Sequence, residues 1–338
     1  MAKGEGRFVN TAARLIGGGP DREGRHVLEE SRMRIALTGG TGFLGRYIVK
    51  HLAQAGHRLR CWFRPESDRS GFENLNAIEW LPGNLDDRQA IAALVQDVDA
   101  VVHAALQWER EGAFGAAGQG DLTAFLDVNL MGSLRLFQAA YEARVSRFVF
   151  ISSCAVHDVI LADRPLDETH PLWPKSHYGA HKAALEQFVH SYGLGQGWPI
   201  CALRPTGIYG LAQPAQDSRW FALVGQVLRH EPIASTLGGK EVHAADVAKA
   251  VELLLSGDPQ AIMGQAFNCY DRYVSEQEVA RIAKELTGSS SSIADLNRGP
   301  KNQIVTEKLR KLGMSFGGEA LLRQTVAELV QAHRKLAG

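Results

Sequence analysis

The sequence predicts an α/β fold, a doubly wound parallel sheet with a small C-terminal lobe. Three observations predict it. Short apolar runs alternate with helix-like segments from Met33 onward. The runs are apolar almost throughout, as strands covered on both faces are. Between the first run, "RIALT", and the first helical segment stand four glycines in seven positions, Gly39 to Gly45.

The elements follow in order. "RIALTGG" reads as the first strand. "GRYIVKHLAQAG" reads as a helix with apolar Ile48 and Leu52 on one face and Gly56 past its end. "RLRCWFR" and "IEWLPGNL" are the second and third strands. "ALVQDV" ends a helix, and "VVHAAL" is the fourth strand. "FLDVNLMGSLRLFQAAYEA" is a long helix, "RFVFISS" the fifth strand, "YGAHKAALEQFVHSYG" another helix and "PICALRP" the sixth strand. Strands joined through helices run parallel, with helices on both faces. No repeat period and no low-complexity tract interrupts the pattern.

A chain of 338 residues with 45% hydrophobic residues fits one large domain or a domain with a lobe. Its formal net charge is zero, so no basic surface argues for nucleic acid. No apolar run is long enough to span a membrane, and a cytoplasmic protein is expected. The four cysteines, Cys61, Cys154, Cys201 and Cys269, lie far apart in apolar runs and read as buried reduced thiols. Residues 1–32 mix both charge signs around a GGGP break and lack a signal-type apolar core. They read as a weakly ordered extension, or as the product of a start assigned upstream of Met33.

The glycines have a physical use. A glycine-rich turn between the first strand and first helix of such a sheet, which is then Rossmann-like, lets the backbone approach a pyrophosphate. The helix N-terminus offers free N–H groups to it. Gly39, Gly42 and Gly45 carry the spacing, within a turn from Thr38 that includes Thr41, Phe43 and Leu44. From Arg46 through Pro65 there is no Asp or Glu to hold a ribose 2′-hydroxyl. Arg64 ends the second strand instead and can grip a 2′-phosphate. NADP(H) is favoured, and NAD(H) is the alternative.

The candidate chemistry lies further along. Tyr178 and Lys182 are four residues apart and share a helix face. A tyrosine near pKa 10 is a poor base at neutral pH, and a neighbouring ammonium is expected to lower that value. The pair could then move a proton to or from a substrate oxygen. Ser152 and Ser153 end the fifth strand, where a hydroxyl can donate to an oxygen gaining charge; turn chemistry explains two such serines equally well.

Together these residues resemble the extended short-chain dehydrogenase/reductases, the NAD-dependent epimerase/dehydratase family. The segments that carry the resemblance are TGGTGFLG (38–45), GNLDD (83–87), VVHAAL (101–106), NLMGS (129–133), SSCAVHD (152–158), YGAHK (178–182) and LRPTGIYG (203–210). EVHAADVAKAV (241–251) resembles the family's aspartate-containing helix start. The resemblance implies that Ser153, Tyr178 and Lys182 are catalytic and that Lys182 also binds the nicotinamide ribose. It implies that Asn84 and Leu85 meet the adenine, with the Asn84 carbonyl oxygen as acceptor. Ala104 and Ala105 would line the cofactor, and Asn129 would be mainly structural. It also implies a homodimer through the helices at 122–143 and 178–192.

Departures narrow the reading. Val156, His157 and Asp158 stand where the family has VYG. Cys154 and Ala155 follow Ser153 where the sugar-nucleotide dehydratases have Asp-Glu, which argues against a 4,6-dehydratase. The R-P-G-D run of many sugar-nucleotide enzymes is missing near the C-terminus. The expected organisation is a dinucleotide-binding domain over 33–208, to which 241–272 return, and a substrate lobe from 209–240 and 273–338. Trp173, His157, Trp220, Phe221 and His243 could line the pocket or simply pack. The leading expectation is hydride transfer between NADP(H) and a carbonyl or alcohol substrate, a small-molecule carbonyl, alcohol or sugar being the expected partner. A sugar epimerase that recycles its hydride, and a non-catalytic cofactor sensor, are the alternatives.

Overall fold

The computed structural model describes residues 32–107, 117–295 and 299–337. The chain divides into two units, Met1–Arg32 and Met33–Gly338. The expectation of an extension over 1–32 falls, Arg32 apart, outside the described residues.

The second unit begins with β1 (Arg34–Thr38), α1 (Phe43–Gln54), β2 (Arg58–Phe63), β3 (Ile78–Pro82), α2 (Arg88–Val95) and β4 (Ala100–His103). Helix α3 (Leu122–Leu126) then passes through a π-turn, Asp127–Met131, into α4 (Gly132–Glu142), so the expected long helix carries a bulge. Next come β5 (Arg147–Ile151), α5 (His177–His190), β6 (Ile200–Pro205), β7 (Gly207–Tyr209), α6 (Phe221–Leu228) and β8 (Gly238–His243). The chain continues as α7 (Ala244–Ser256), α8 (Pro259–Ile262), β9 (Gln265–Cys269), β10 (Arg272–Ser275), α9 (Glu276–Thr287), α10 (Glu307–Lys311) and α11 (Gly318–Ala337).

Seven strands form one parallel sheet in the order β3-β2-β1-β4-β5-β6-β9. The order reverses at β1, where the crevice of a doubly wound sheet opens. Strands β1, β4 and β6 are buried almost end to end, which explains their unbroken apolar sequences. One face of the sheet packs Ile48, Val49 and Leu52 of α1 against Val247, Val251 and Leu254 of α7. The other packs Ile91 and Leu94 of α2 with Leu136 and Phe137 of α4 and Leu185 and Val189 of α5. Helix α1 stops as its sequence suggests. Gly56 takes φ +90°, and the His57 N–H returns to the Leu52 carbonyl at 3.1 Å.

A three-stranded sheet, β10-β8-β7, leads into a separate lobe core. Val224 and Val227 of α6, Val279 and Ile282 of α9 and Leu322 and Val326 of α11 fill that core. Helix α7 and strand β9 belong to the main sheet and its cover. Leu309 and Met314 also pack into the main core, so the C-terminal segment touches both bodies of structure. All four cysteines are free; Cys61, Cys201 and Cys269 are buried, and Cys154 is half-buried. Burial pushes the Cys154 and Cys201 thiols up to about 12. Among the described residues no helix is long and apolar enough to cross a membrane.

Candidate active site

The glycine-rich turn is a close fit of backbone on backbone. Gly39 takes φ +76°, and a Cβ there would lie 2.8 Å from the Ala104 carbonyl carbon and the Ala105 nitrogen. A Cβ on Gly45 would lie 1.9 Å from the Gly39 oxygen. Gly39 holds the turn against the residues that follow β4, and Gly45 lets α1 pass close over the turn. Gly42 caps α1 with no side-chain hydrogen bond, and no acidic residue stands in the first turn. The first N–H groups of α1 and its positive dipole end therefore face outward with no carboxylate competing for them. This turn suits a pyrophosphate.

Thr38, next to the glycines, is fully buried. Its Oγ1 accepts from the Ala105 N–H at 3.2 Å and lies 2.7 Å from His103 Nδ1. His103 Nε2 lies 2.8 Å from Ser133 Oγ, which itself donates to the Asn129 carbonyl at 2.5 Å. The donors run one way only: Thr38 hydroxyl to His103 Nδ1, His103 Nε2–H to Ser133. The imidazole is thereby a neutral tautomer assigned from its partners. Burial, with Lys182 nearby, pushes its pKa down to about 3, in keeping with that neutrality. Thr38 thus fixes the end of β4, with Ala104 and Ala105, from within the sheet. Asn129 bonds Gln107 and Phe125 through its amide and is structural, as its position suggests.

At the adenosine end, Arg64 follows β2 directly and its side chain is half exposed, with Nε 3.0 Å from Glu66 Oε1. Asn84 Oδ1 accepts from the Asp86 and Asp87 N–H groups at 2.9 and 3.0 Å. The oxygen expected to meet an adenine amino group therefore already holds the turn before α2. Leu85 is buried beneath it, and a Cβ on Gly132 would lie 2.7 Å from the Leu85 Cβ. Thr41, Phe43 and Leu44 are half-buried around the turn; the Phe43 ring meets Tyr47 edge-on at 5.7 Å.

Ser153, Tyr178 and Lys182 come together at the carboxyl ends of β5 and the start of α5. Ser153 is extended, and its Oγ accepts from the Ala155 N–H at 3.1 Å. Its side chain is also hydrogen bonded to the Tyr178 phenol. Ser176 caps α5 through the Gly179 N–H at 3.1 Å, which fixes where Tyr178 begins the helix. Gly179 decides how near it comes. A Cβ there would lie 2.4 Å from the Ala155 oxygen, so only glycine lets α5 close on the Ser153 loop. That glycine was legible as the residue after the tyrosine, but its purpose was not.

Lys182 is buried and donates from Nζ to the Ile151 carbonyl at 2.8 Å. The ammonium lies 4.6 Å from the Phe150 ring centroid and 6.0 Å from that of Tyr178. Burial pushes its pKa down to about 7, against the pull of Glu186 upward. The expected lowering of the Tyr178 pKa does not appear. Burial raises it above its usual value of 10.0, and the Ser153 hydrogen bond offsets only part of this. Desolvation of the phenolate outweighs a lysine that is itself only partly charged at neutral pH. The phenol is therefore a proton donor in waiting.

The pocket candidates divide. Trp220 tilts against Tyr209 at 5.2 Å, Phe221 stacks on His333 at 3.8 Å, and His243 meets Tyr47 and Tyr209 edge-on. These three pack, as does buried His157. Trp173 alone is exposed, at 49%.

A profile of the NAD dependent epimerase/dehydratase family matches residues 35–269. The chain belongs to that family. It is an enzyme of the extended short-chain dehydrogenase/reductase class and works with a nicotinamide dinucleotide. Human dTDP-D-glucose 4,6-dehydratase is 27% identical over 310 residues, which cover 83% of this chain and 84% of that protein. A 4-hydroxy-2-methyl-3-oxo-4-farnesyl-3,4-dihydroquinoline-1-oxide ketoreductase from Stigmatella aurantiaca is 30% identical over 237 residues, 67% of this chain and 66% of the relative. Among solved structures, UDP-glucose 4-epimerase of Thermotoga maritima with UDP-glucose has a TM-score of 0.72 at 23% identity, covering 90% of this chain and all of that one. The family's fold is thus the fold seen here, and the glycine turn and the Ser153–Tyr178–Lys182 group fall inside the matched residues.

Proposed function

We propose that this family member is an NADP(H)-dependent carbonyl reductase or alcohol dehydrogenase acting on a carbonyl or alcohol substrate. The observation that carries the reading is the hydrogen-bonded Ser153–Tyr178 pair beside the buried Lys182. Gly39, Gly42 and Gly45 with the N–H groups of α1 would hold the pyrophosphate, and Arg64 would meet the 2′-phosphate. Ala104 and Ala105 would flank the cofactor, and Lys182 would have donors left for the ribose beyond its bond to Ile151. The bound nicotinamide supplies or accepts the hydride.

The chain's own residues handle the proton. Ser153 donates to the substrate oxygen and orients it. Tyr178, a phenol that is protonated at neutral pH and whose burial raises its pKa further, gives its proton to that oxygen as negative charge develops. Lys182 holds the local field and, when charged, eases the return of the proton from solvent.

The sugar-epimerase alternative draws support from relatives named UDP-glucose 4-epimerase, such as that of Rhizobium meliloti, 29% identical over 219 residues. A dehydratase is disfavoured by the residues after Ser153. Cys154 Sγ donates to the Arg204 carbonyl at 3.1 Å, and Ala155 has no ionisable group, so neither offers a carboxylate there. Net cofactor turnover separates the two main readings. A reductase consumes NADPH stoichiometrically with a carbonyl panel. Interconversion of two sugar epimers by a tightly held NAD⁺, with no net change in nicotinamide absorbance, would overturn the proposal in favour of the epimerase.

A further inference from the structure

Arg46 sits in the first turns of α1 and is buried, with 7% of its side chain exposed. A guanidinium has five N–H donors. Four hydrogen bonds and one ion pair engage it. Nε donates to the Thr41 carbonyl at 3.2 Å. One terminal nitrogen, Nη1, donates to the Ser70 carbonyl at 2.7 Å and to Gln213 Oε1 at 3.4 Å. The other, Nη2, donates to the Asp68 carbonyl at 2.6 Å and forms an ion pair with Asp68 Oδ2 at 3.1 Å. The Phe72 ring lies 4.9 Å from the guanidinium carbon.

One side chain therefore joins three segments that are distant in sequence: the glycine-rich turn, the loop after β2, and the segment after β7. The first two lie at the phosphate and adenosine end of the crevice. The third leads into the C-terminal lobe. Gln213 completes the link. Its Oε1 accepts from Arg46 while its Nε2 donates to Ser70 Oγ. Gly71, next in the loop, takes φ +79°, a backbone conformation that favours glycine. The next residue of α1 grips the same segment, as the Tyr47 hydroxyl donates to the Leu211 carbonyl at 3.1 Å.

We propose that Gln213 is a positioning residue that couples the adenosine end of the cofactor to the C-terminal lobe, acting through Arg46 and Ser70. A cofactor that orders the loop over 68–70 also orders 211–213. By reciprocity, the lobe governs how tightly the adenosine end is held and how fast it leaves. The proposal rests on a nicotinamide dinucleotide cofactor and not on the choice between NADP and NAD, nor on the substrate. Arg46 acts here through its neighbours, its guanidinium engaged by four hydrogen bonds and an ion pair.

The test uses the full chain and three probes, NADPH, NADH and ADP-ribose, the last carrying only the adenosine end. Gln213→Ala weakens binding of whichever probes the wild type takes by about 3- to 10-fold, the effect of losing one or two hydrogen bonds. It speeds their release by a similar factor and leaves the melting temperature unchanged. Gln213→Glu keeps the acceptor facing Arg46 and restores most of the affinity. Ser70→Ala, which leaves the Ser70 carbonyl in place, reproduces the weakening and serves if Gln213→Ala does not fold. ADP-ribose slows hydrogen exchange at 211–213 in the wild type, and both alanine variants lose that slowing. Variants within twofold of the wild type, with exchange at 211–213 still responding, overturn the coupling alone. A wild-type chain that binds none of the probes overturns the cofactor reading and the coupling with it.

Discussion

Glu186 and Arg204 form a fully buried ion pair between the helix that carries Tyr178 and the strand beside Ser152. Arg204 Nε lies 3.0 Å from both Glu186 oxygens, and Nη2 lies 2.5 Å from Oε2. Ser152 Oγ donates to Glu186 Oε1 at 2.5 Å. Arg204 Nη1 reaches His157 Nε2 at 3.2 Å and the Glu168 carbonyl at 3.3 Å. The loop bearing Ser153 is thus held at both of its ends, by Ser152 and by His157. The departure from the family's VYG gains a reason here. Burial and Arg204 push the His157 pKa down to about 4, so a neutral imidazole accepts from the guanidinium.

Breaking that pair by Arg204→Met should cost about 3–5 kcal/mol, because Glu186 is left buried without its counter-charge. His157→Phe leaves one Arg204 donor unanswered and should cost less, about 1–3 kcal/mol. Denaturant midpoints of the two variants measure both. Equal losses would contradict the ranking.

Tyr178→Phe keeps the ring and removes the proton. Its expected effect is a rate loss of roughly 10²–10⁴ with the fold intact. Far-ultraviolet dichroism and steady-state rates check the two halves, and a rate within threefold of wild type would remove Tyr178 from the mechanism.

Lys182 makes stability depend on pH. Its folded pKa, about 7, lies below the usual 10.5. Between those values the unfolded chain binds more protons, so this group makes stability rise with pH across that window. At and below pH 7 the penalty of burying the ammonium is complete. Lys182→Met should therefore gain most in melting temperature at pH 6–7, by more than about 2–4 °C, the equivalent of 1 kcal/mol at this size. The gain should fade towards pH 10. A difference independent of pH would show that Lys182 is not the titrating group.

Arg64 is expected to make NADPH bind more tightly than NADH. Among the described residues its ionic partner is Glu66, which is exposed, and such a pair is weak enough to yield to a phosphate. A charge-assisted contact contributes about 1.5–3 kcal/mol. Titrations of both cofactors against wild type and Arg64→Ala measure it. An NADH preference untouched by the substitution would point to NAD instead.

A homodimer is expected through the helices at 122–143 and 178–192. Met131 and Phe188 lie on them, exposed at 42% and 41%. Light scattering at micromolar concentration should give twice the chain mass of 36.9 kDa. Phe188→Glu should shift the mass towards that of one chain; a wild-type monomer would contradict the assembly.

The sequence by itself determined what depends on near neighbours. Strand burial, the turn of Gly39 to Gly45, the stop at Gly56 and the shared face of Tyr178 and Lys182 follow from residue spacing and backbone geometry, which a short window contains. The Glu186 spacing, one turn beyond Lys182, was equally visible but had no meaning without Arg204. Only the tertiary structure decided which groups lose water and which partners they meet. It engaged Asn84 in a turn, saturated Arg46 from three segments, made His157 an acceptor, and raised the Tyr178 pKa where the motif alone suggested lowering. Desolvation and long-range pairing depend on what the rest of the chain packs around a group, and no local spacing encodes that.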